Sequence, residues 1–236
     1  MNLITAQAFD YRAGLLNADG AKGGPVAIGT DAIPAFFIGI NDPLGGNPFG
    51  TPFTPVVFRL FDAWAKPQAN VFQDWLNARA SIARGQALFN SKPIAITGVA
   101  GLNDDLGVAS IPGTCGTCHD SPGIGNHSFP APLNIGVGDL TSPLDVSYLP
   151  VIALQNKTTH EIKRITDPGR APITGLWKDI GRMKGPILRG LASRAPYFHN
   201  GSDDSLTDVI EFYEKRFNVG LSAQEKKDLI AFLSAL

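Results

Sequence analysis

The whole thiol content of this 236-residue chain is two cysteines three positions apart, and a histidine follows the second at once: Cys115-Gly116-Thr117-Cys118-His119. With no further cysteine, a disulfide framework is excluded. C-x-x-C-H is the spacing of covalent c-type haem attachment. Each thiol adds to one vinyl group of the porphyrin, and two intervening residues match the separation of the two vinyls. The histidine after the second cysteine then comes under the iron as its proximal ligand. Small Gly116 and Thr117 let the backbone pass close to the ring. Two other readings compete. A zinc site needs two more Cys or His ligands, yet His127, His160 and His199 are too scattered to form a ligand pair. A redox dithiol expects a strand of a βαβ unit before it, and the flanks here are Gly, Pro and Asn. One covalent haem c, on Cys115 and Cys118 with His119 at the iron, is the expected cofactor.

The rest of the composition narrows the class. Gly (26) and Pro (18) are abundant, which argues for irregular, loop-rich structure around a few helices. A net charge of −1 offers no basic excess to draw nucleic acid or an anionic membrane. No run of 18 apolar residues marks a membrane span. Met1-Asn2-Leu3-Ile4-Thr5 lacks a basic region followed by a long apolar core, so it does not read as a signal peptide. Covalent haem is attached outside the bacterial cytoplasm, so a periplasmic or extracellular location is expected. The numbering then starts after a removed leader, or the chain is a fragment.

Residues 1–70 read as an irregular arm, or the remnant of a preceding domain. Turn signals dominate in Gly45-Gly46-Asn47-Pro48, yet Phe36, Phe37, Phe49, Phe53, Phe58, Phe61 and Trp64 are too many aromatics for a disordered tail. The arm is expected to pack those rings on a main domain, residues 71–236. There the spacing of Val71, Phe72, Trp75, Leu76 and Ala80 predicts a first helix over 70–90. Seven prolines between 120 and 175 break any helix, and no strand pair is evident. Two helices close the chain. One is capped by Ser205, carries Leu206, Val209, Ile210, Tyr213 and Phe217 on one face, and stops at Gly220. The other opens on the capping box Ser222-Ala223-Gln224-Glu225 and buries Leu229, Ile230 and Leu233.

An ordered series of segments now resembles one family. Arg84-Gly85-Gln86-Ala87-Leu88-Phe89 is similar to the first helix of a cytochrome c domain. Gly185-Pro186-Ile187-Leu188-Arg189-Gly190 and Ala195-Pro196-Tyr197-Phe198-His199-Asn200-Gly201 resemble the C-terminal haem domain of bacterial di-haem cytochrome c peroxidases and MauG-like proteins. The resemblance covers roughly residues 80–236. It implies a mostly α, cytochrome c-like helical haem domain with long irregular loops and an N-terminal arm, its first and last helices crossing. The family has two haems, one per domain; this sequence has one C-x-x-C-H. The part retained resembles the electron-transferring half.

The ligand opposite His119 decides between carrier and catalyst, because a six-coordinate iron is closed and the axial ligand sets the potential. The resemblance implies Tyr213, whose helix position matches the sixth ligand of the family's C-terminal haem. Met183 is the alternative, on a loop downstream of the motif as in other cytochromes; His127 is a third. His199 reads as a hydrogen-bonding structural residue and His160 as a surface one. Arg189 is a candidate partner for a haem propionate, since a buried carboxylate needs a charged donor. Trp177 and Tyr197 pack on the haem or in the core. The function expected is electron transfer by a mono-haem cytochrome with a redox partner protein. A single-haem peroxidase or oxidase is the alternative, as is a haem subunit that assembles through the arm.

Overall fold

The computed structural model describes residues 6–25, 56–66, 69, 71–125 and 131–236. Among these residues the α-helices are α1 (Gln73–Ser91), α2 (Asn103–Leu106), α3 (Ala171–Thr174), α4 (Leu206–Phe217) and α5 (Ala223–Ser234). Strands β1 (Phe9–Asp10) and β2 (Gly14–Leu15) pair antiparallel, as do β3 (Ile94–Thr97) with β4 (Ser110–Gly113) and β5 (Ile152–Gln155) with β6 (Ile162–Ile165).

The expectation of a mostly α chain is corrected by these ribbons. Helix accounts for 34% and strand for 15% of the structure, and two of the α-helices are single turns of four residues. The strands are two to four residues long, too short to print an alternation in sequence. The stretch 120–175, read as loop, carries the ribbon β5–β6. Its turn is built by Asn156, whose Oδ1 accepts from the backbone N–H of Thr158 (2.9 Å) and Thr159 (3.1 Å).

Helix α1 also differs from the expected register. It begins at Gln73, and Phe72 stands outside it as the N-cap residue, exposed to solvent. The buried face is Arg79, Ile82, Ala83, Gly85, Gln86 and Phe89. Two of these are polar because the helix holds an irregular segment, whose backbone groups need partners when buried. Arg79 Nε donates to Ala13 O (2.9 Å), and its guanidinium lies over the rings of Trp64 and Trp75. Gln86 Oε1 accepts from Phe61 N (2.9 Å) while its Nε2 donates to Asp62 Oδ1 (2.7 Å).

The arm residues Phe58, Phe61 and Trp64 share one core with Phe89 of α1 and Phe232 of α5. Phe232 meets Phe58, Phe89 and Phe61 edge to face at 5.3, 5.7 and 6.2 Å between centroids, the favoured aromatic geometry. Phe36, Phe37, Phe49 and Phe53 lie outside the described residues. Helices α1 and α5 cross at Gly85, where a side chain would run into the backbone of Asp228.

The closing helices follow the sequence signals. Ser205 Oγ accepts from Asp208 N, and Ser222 and Glu225 cap one another reciprocally. Helix α4 ends before the expected Gly220, at Asn218, which takes the left-handed conformation (φ 49°) that asparagine tolerates. Among the described residues no helix is long and apolar enough to cross a membrane.

Candidate haem-attachment site

Strand β4 delivers the chain to the cysteines. Its partner β3 turns Ile94 and Ile96 into a second apolar cluster with Val99, Leu102 and Leu133, and Cys115 and Cys118 pack against that cluster. Cys115 touches the main core as well. Residues Cys115–Thr117 form one 3-10 turn. Thr117, expected only to be small, closes it: its Oγ1 accepts from Thr114 N (2.9 Å), while the Thr114 side chain caps Thr117 N in return. His119 N donates to Cys115 O (3.1 Å), so the histidine is wound directly onto the same turn.

Both thiols are free and half-buried. Burial pushes each up to about 12, with Asp120 adding to the effect at Cys118. A reactive dithiol needs the opposite shift. Among the described residues no cluster of three or more His, Cys, Asp or Glu side chains is placed to hold a metal ion.

His119 is oriented by backbone. Its Nδ1 lies 2.9 Å from Gly125 O, and the Pro186 carbonyl also acts on the ring. A carbonyl only accepts, so Nδ1 carries the proton and Nε2 presents its lone pair, the tautomer a metal-binding imidazole requires. Burial lowers the pKa of the ring, the two carbonyls pull it the other way, and the net effect favours the neutral form. The Gly125 carbonyl can reach because the residue is left-handed (φ +70°) and pressed between Leu188 and Phe58, leaving no room for a side chain.

Tyr213 comes to the same place from α4. Its ring stacks on Phe217 and meets Phe212 edge-on. Burial pushes its hydroxyl pKa up, with Cys118 and Cys115 adding to the shift, and Phe217, on which the ring stacks, packs on the cluster that holds both cysteines. Helix α4 is pinned nearby by Arg216. Its Nε donates to Ile135 O (2.9 Å) and its Nη2 to Thr97 O and Gly98 O (both 3.0 Å).

Met183 is half-buried and exchanges both backbone hydrogen bonds with Leu133, a member of the cluster that packs on the cysteines. His127 lies outside the described residues. His199 Nδ1 donates to Oδ2 of buried Asp167 (2.6 Å) while its ring is mostly exposed, and His160 is exposed at the β5–β6 turn. Trp177 belongs to a third cluster with Ile165, Ala171 and Ile180, which contains neither cysteine. Tyr197 lies in the main core with its hydroxyl on Leu191 O (3.2 Å).

Arg189 is 1% exposed. Its Nη2 donates to Gly24 O (2.8 Å), while Nε and Nη1 have no partner among the described residues. Burial pushes its pKa down to about 10. A buried guanidinium with two idle donors is a built receptor for a carboxylate. The residues present therefore fit a haem: two thiols on one turn, an imidazole with one nitrogen tied and the other offered, and an anion receptor in the segment that contacts the histidine.

Comparison with characterised proteins fits this geometry. The chain is 29% identical over 196 residues to the cytochrome-c peroxidase IdrP1 of Pseudomonas sp. (strain SCT), a match covering 75% of this chain and 43% of that protein. It is 33% identical over 135 residues to the cytochrome-c peroxidase IdrP2 of Denitromonas iodatirespirans, covering 52% and 36%. The chain is related to the bacterial cytochrome c peroxidases. The cytochrome c peroxidase Ccp of Escherichia coli (strain K12) matches at 31% over 124 residues, 52% of this chain and 22% of that protein. The chain thus spans less than half the length of each of these cytochrome c peroxidases. No protein-family model matches it, and no solved structure matches it significantly.

Proposed function

We propose that this chain is a c-type haem protein of the cytochrome c peroxidase kind, working by electron transfer through one haem on Cys115 and Cys118 with His119 as the axial ligand. The observation that carries the reading is the His119 ring, wound onto the cysteine turn with Nδ1 spent on Gly125 O and Nε2 left for iron. The relatives named as cytochrome-c peroxidases support haem redox chemistry at the level of the family. A bound haem supplies a reversible one-electron couple at its iron.

The chain's own residues set the terms of that couple. Residues 71–236 form the haem domain and residues 1–70 its arm. His119 is held neutral and aimed. Arg189 would give one of its idle donors, at Nε or Nη1, to a propionate oxygen, which would offset part of an otherwise costly buried charge. Tyr213 would supply the second iron ligand in preference to Met183, because its ring stacks on Phe217, which packs on the same cluster as both cysteines. A closed iron with a single attachment motif favours a carrier serving a redox partner protein, outside the cytoplasm, over a peroxidase.

The test is maturation of the exported chain with a haem-attachment system. One haem retained after denaturation, and lost in the Cys115→Ala, Cys118→Ala double variant, is the expected result. A mass equal to the bare polypeptide overturns the reading. Adding peroxide and a reductant to the mature protein then separates the two functions: slow or absent turnover marks the carrier, and rapid saturable turnover marks the peroxidase.

A further inference from the structure

We infer that Asn90, in the last turn of α1, is a positioning residue for His119, acting through the arm dipeptide Val57-Phe58. The inference rests on the haem reading above.

Asn90 spends its whole amide on that dipeptide. Oδ1 accepts from Val57 N and Phe58 N, both at 3.1 Å, and Nδ2 donates to Phe58 O at 2.8 Å. The clamped dipeptide in turn supports the attachment loop at three points. Val57 O accepts from Gly123 N (2.8 Å). Val57 Cγ2 packs against Gly116 between the two cysteines, so closely that a Cβ on Gly116 would come within 2.8 Å of it. Phe58 Cζ lies as close to the corresponding position of Gly125, whose carbonyl receives the His119 Nδ1 proton.

The glycines at 116 and 125 are therefore explained by the strap: each leaves the space that an arm side chain fills. Holding the arm dipeptide fixes both the turn that carries the thiols and the carbonyl that aims the imidazole. Outer partners of a ligating histidine raise its basicity and set its orientation. Loosening Gly125 O should make His119 a weaker donor and favour reduced iron.

Gln86 provides the control. It clamps Phe61 and Asp62 in the same arm by the same chemistry, one helical turn earlier. Neither of those residues is bonded to the attachment loop by any hydrogen bond among the described residues.

The experiment compares haem-loaded Asn90→Ala, Asn90→Asp and Gln86→Ala with the parent, reading amide hydrogen exchange at Gly123 and Gly125 and the midpoint potential. Asn90→Ala should exchange at Gly123 about tenfold faster by local opening. It should also shift the redox equilibrium toward the reduced form by about threefold, through the weakened histidine. Asn90→Asp, which keeps the acceptor and loses the donor, should fall between and covers the case in which the alanine variant does not fold. Gln86→Ala should lose comparable thermal stability and move neither readout. Parent-like exchange and potential in the Asn90 variants overturn the inference, as does an equal response in Gln86→Ala. A parent protein that carries no covalent haem overturns the haem reading instead, and exchange at Gly123 then decides the Asn90 linkage by itself.

Discussion

The carbonyl oxygen of Asp228 sits 1.9 Å from where the first side-chain carbon of residue 85 would be. Gly85 is therefore the point at which α1 and α5 touch backbone to backbone. On an exposed helix a Gly→Ala change gains stability, because alanine is the better helix former by about 1 kcal/mol. Here the sign reverses. Gly85→Ala must push two helices apart, a larger insult than ordinary overpacking, and should cost about 3 kcal/mol or more. Chemical denaturation measures it, and a stabilised Gly85→Ala protein would falsify the crossing.

Arg189 gives a prediction that depends on loading. In the haem-free polypeptide its buried charge has one carbonyl partner and two idle donors, so Arg189→Leu should change stability by less than about 1 kcal/mol. In the haem-loaded protein the same change strands a carboxylate and should cost about 2 kcal/mol or more. Melting both forms of both proteins closes the cycle. Equal losses in the two forms would assign Arg189 to the arm alone.

Asp203 is buried, its Oδ2 lacks a partner among the described residues, and its pKa is pushed up to about 6 by burial first and by Asp208 and Asp204 next. A carboxyl whose folded pKa is raised favours the protonated state in the fold. Its effect is destabilising, appearing as pH rises above the ordinary value of 3.8 and complete above about 6. Asp203→Asn should remove that slope between pH 4 and 6 and stabilise the protein at pH 7 by about 1 kcal/mol. Urea midpoints across this window check it; an unchanged slope counts against the assignment.

Glu225 runs the other way. Its bond to Lys92 and its capping bonds at Ser222 hold its pKa down to about 2. That stabilisation is present above the ordinary carboxyl value of 4.5 and disappears as pH falls toward 2. Glu225→Gln should therefore lower Tm at pH 7 and leave it unchanged near pH 2. A loss of equal size at both pH values would mean that the carboxylate's charge plays no part in the cap.

The sequence signals that were readable act locally. C-x-x-C-H and the Ser205 and Ser222 caps each depend on residues within one turn, and both caps have the expected geometry. Signals that depend on distant chain were hidden. The start of α1 was misplaced because Val71, Phe72 and Trp75 mimic a buried face, while the true one includes Arg79 and Gln86, polar residues that earn burial only because the arm supplies their partners. The short ribbons were missed for want of length. At the site, Gly125 O and the Pro186 carbonyl have no side-chain signature at all, and Asn90 reads as an ordinary helix-end residue until Val57 is seen beside it.

Arg216 lies one helical turn beyond Tyr213, on the same side of α4, and grips three carbonyls from two other segments. Charged donors to carbonyls are among the stronger hydrogen bonds. Sliding or tilting α4 would break all three at once. The speed of a redox centre depends on how little its surroundings shift between charge states, and this brace makes the wall bearing Tyr213 stiff. On the haem reading proposed above, that stiffness would keep the surroundings of the iron nearly unchanged between its two charge states, and the guanidinium responsible would act without touching the metal.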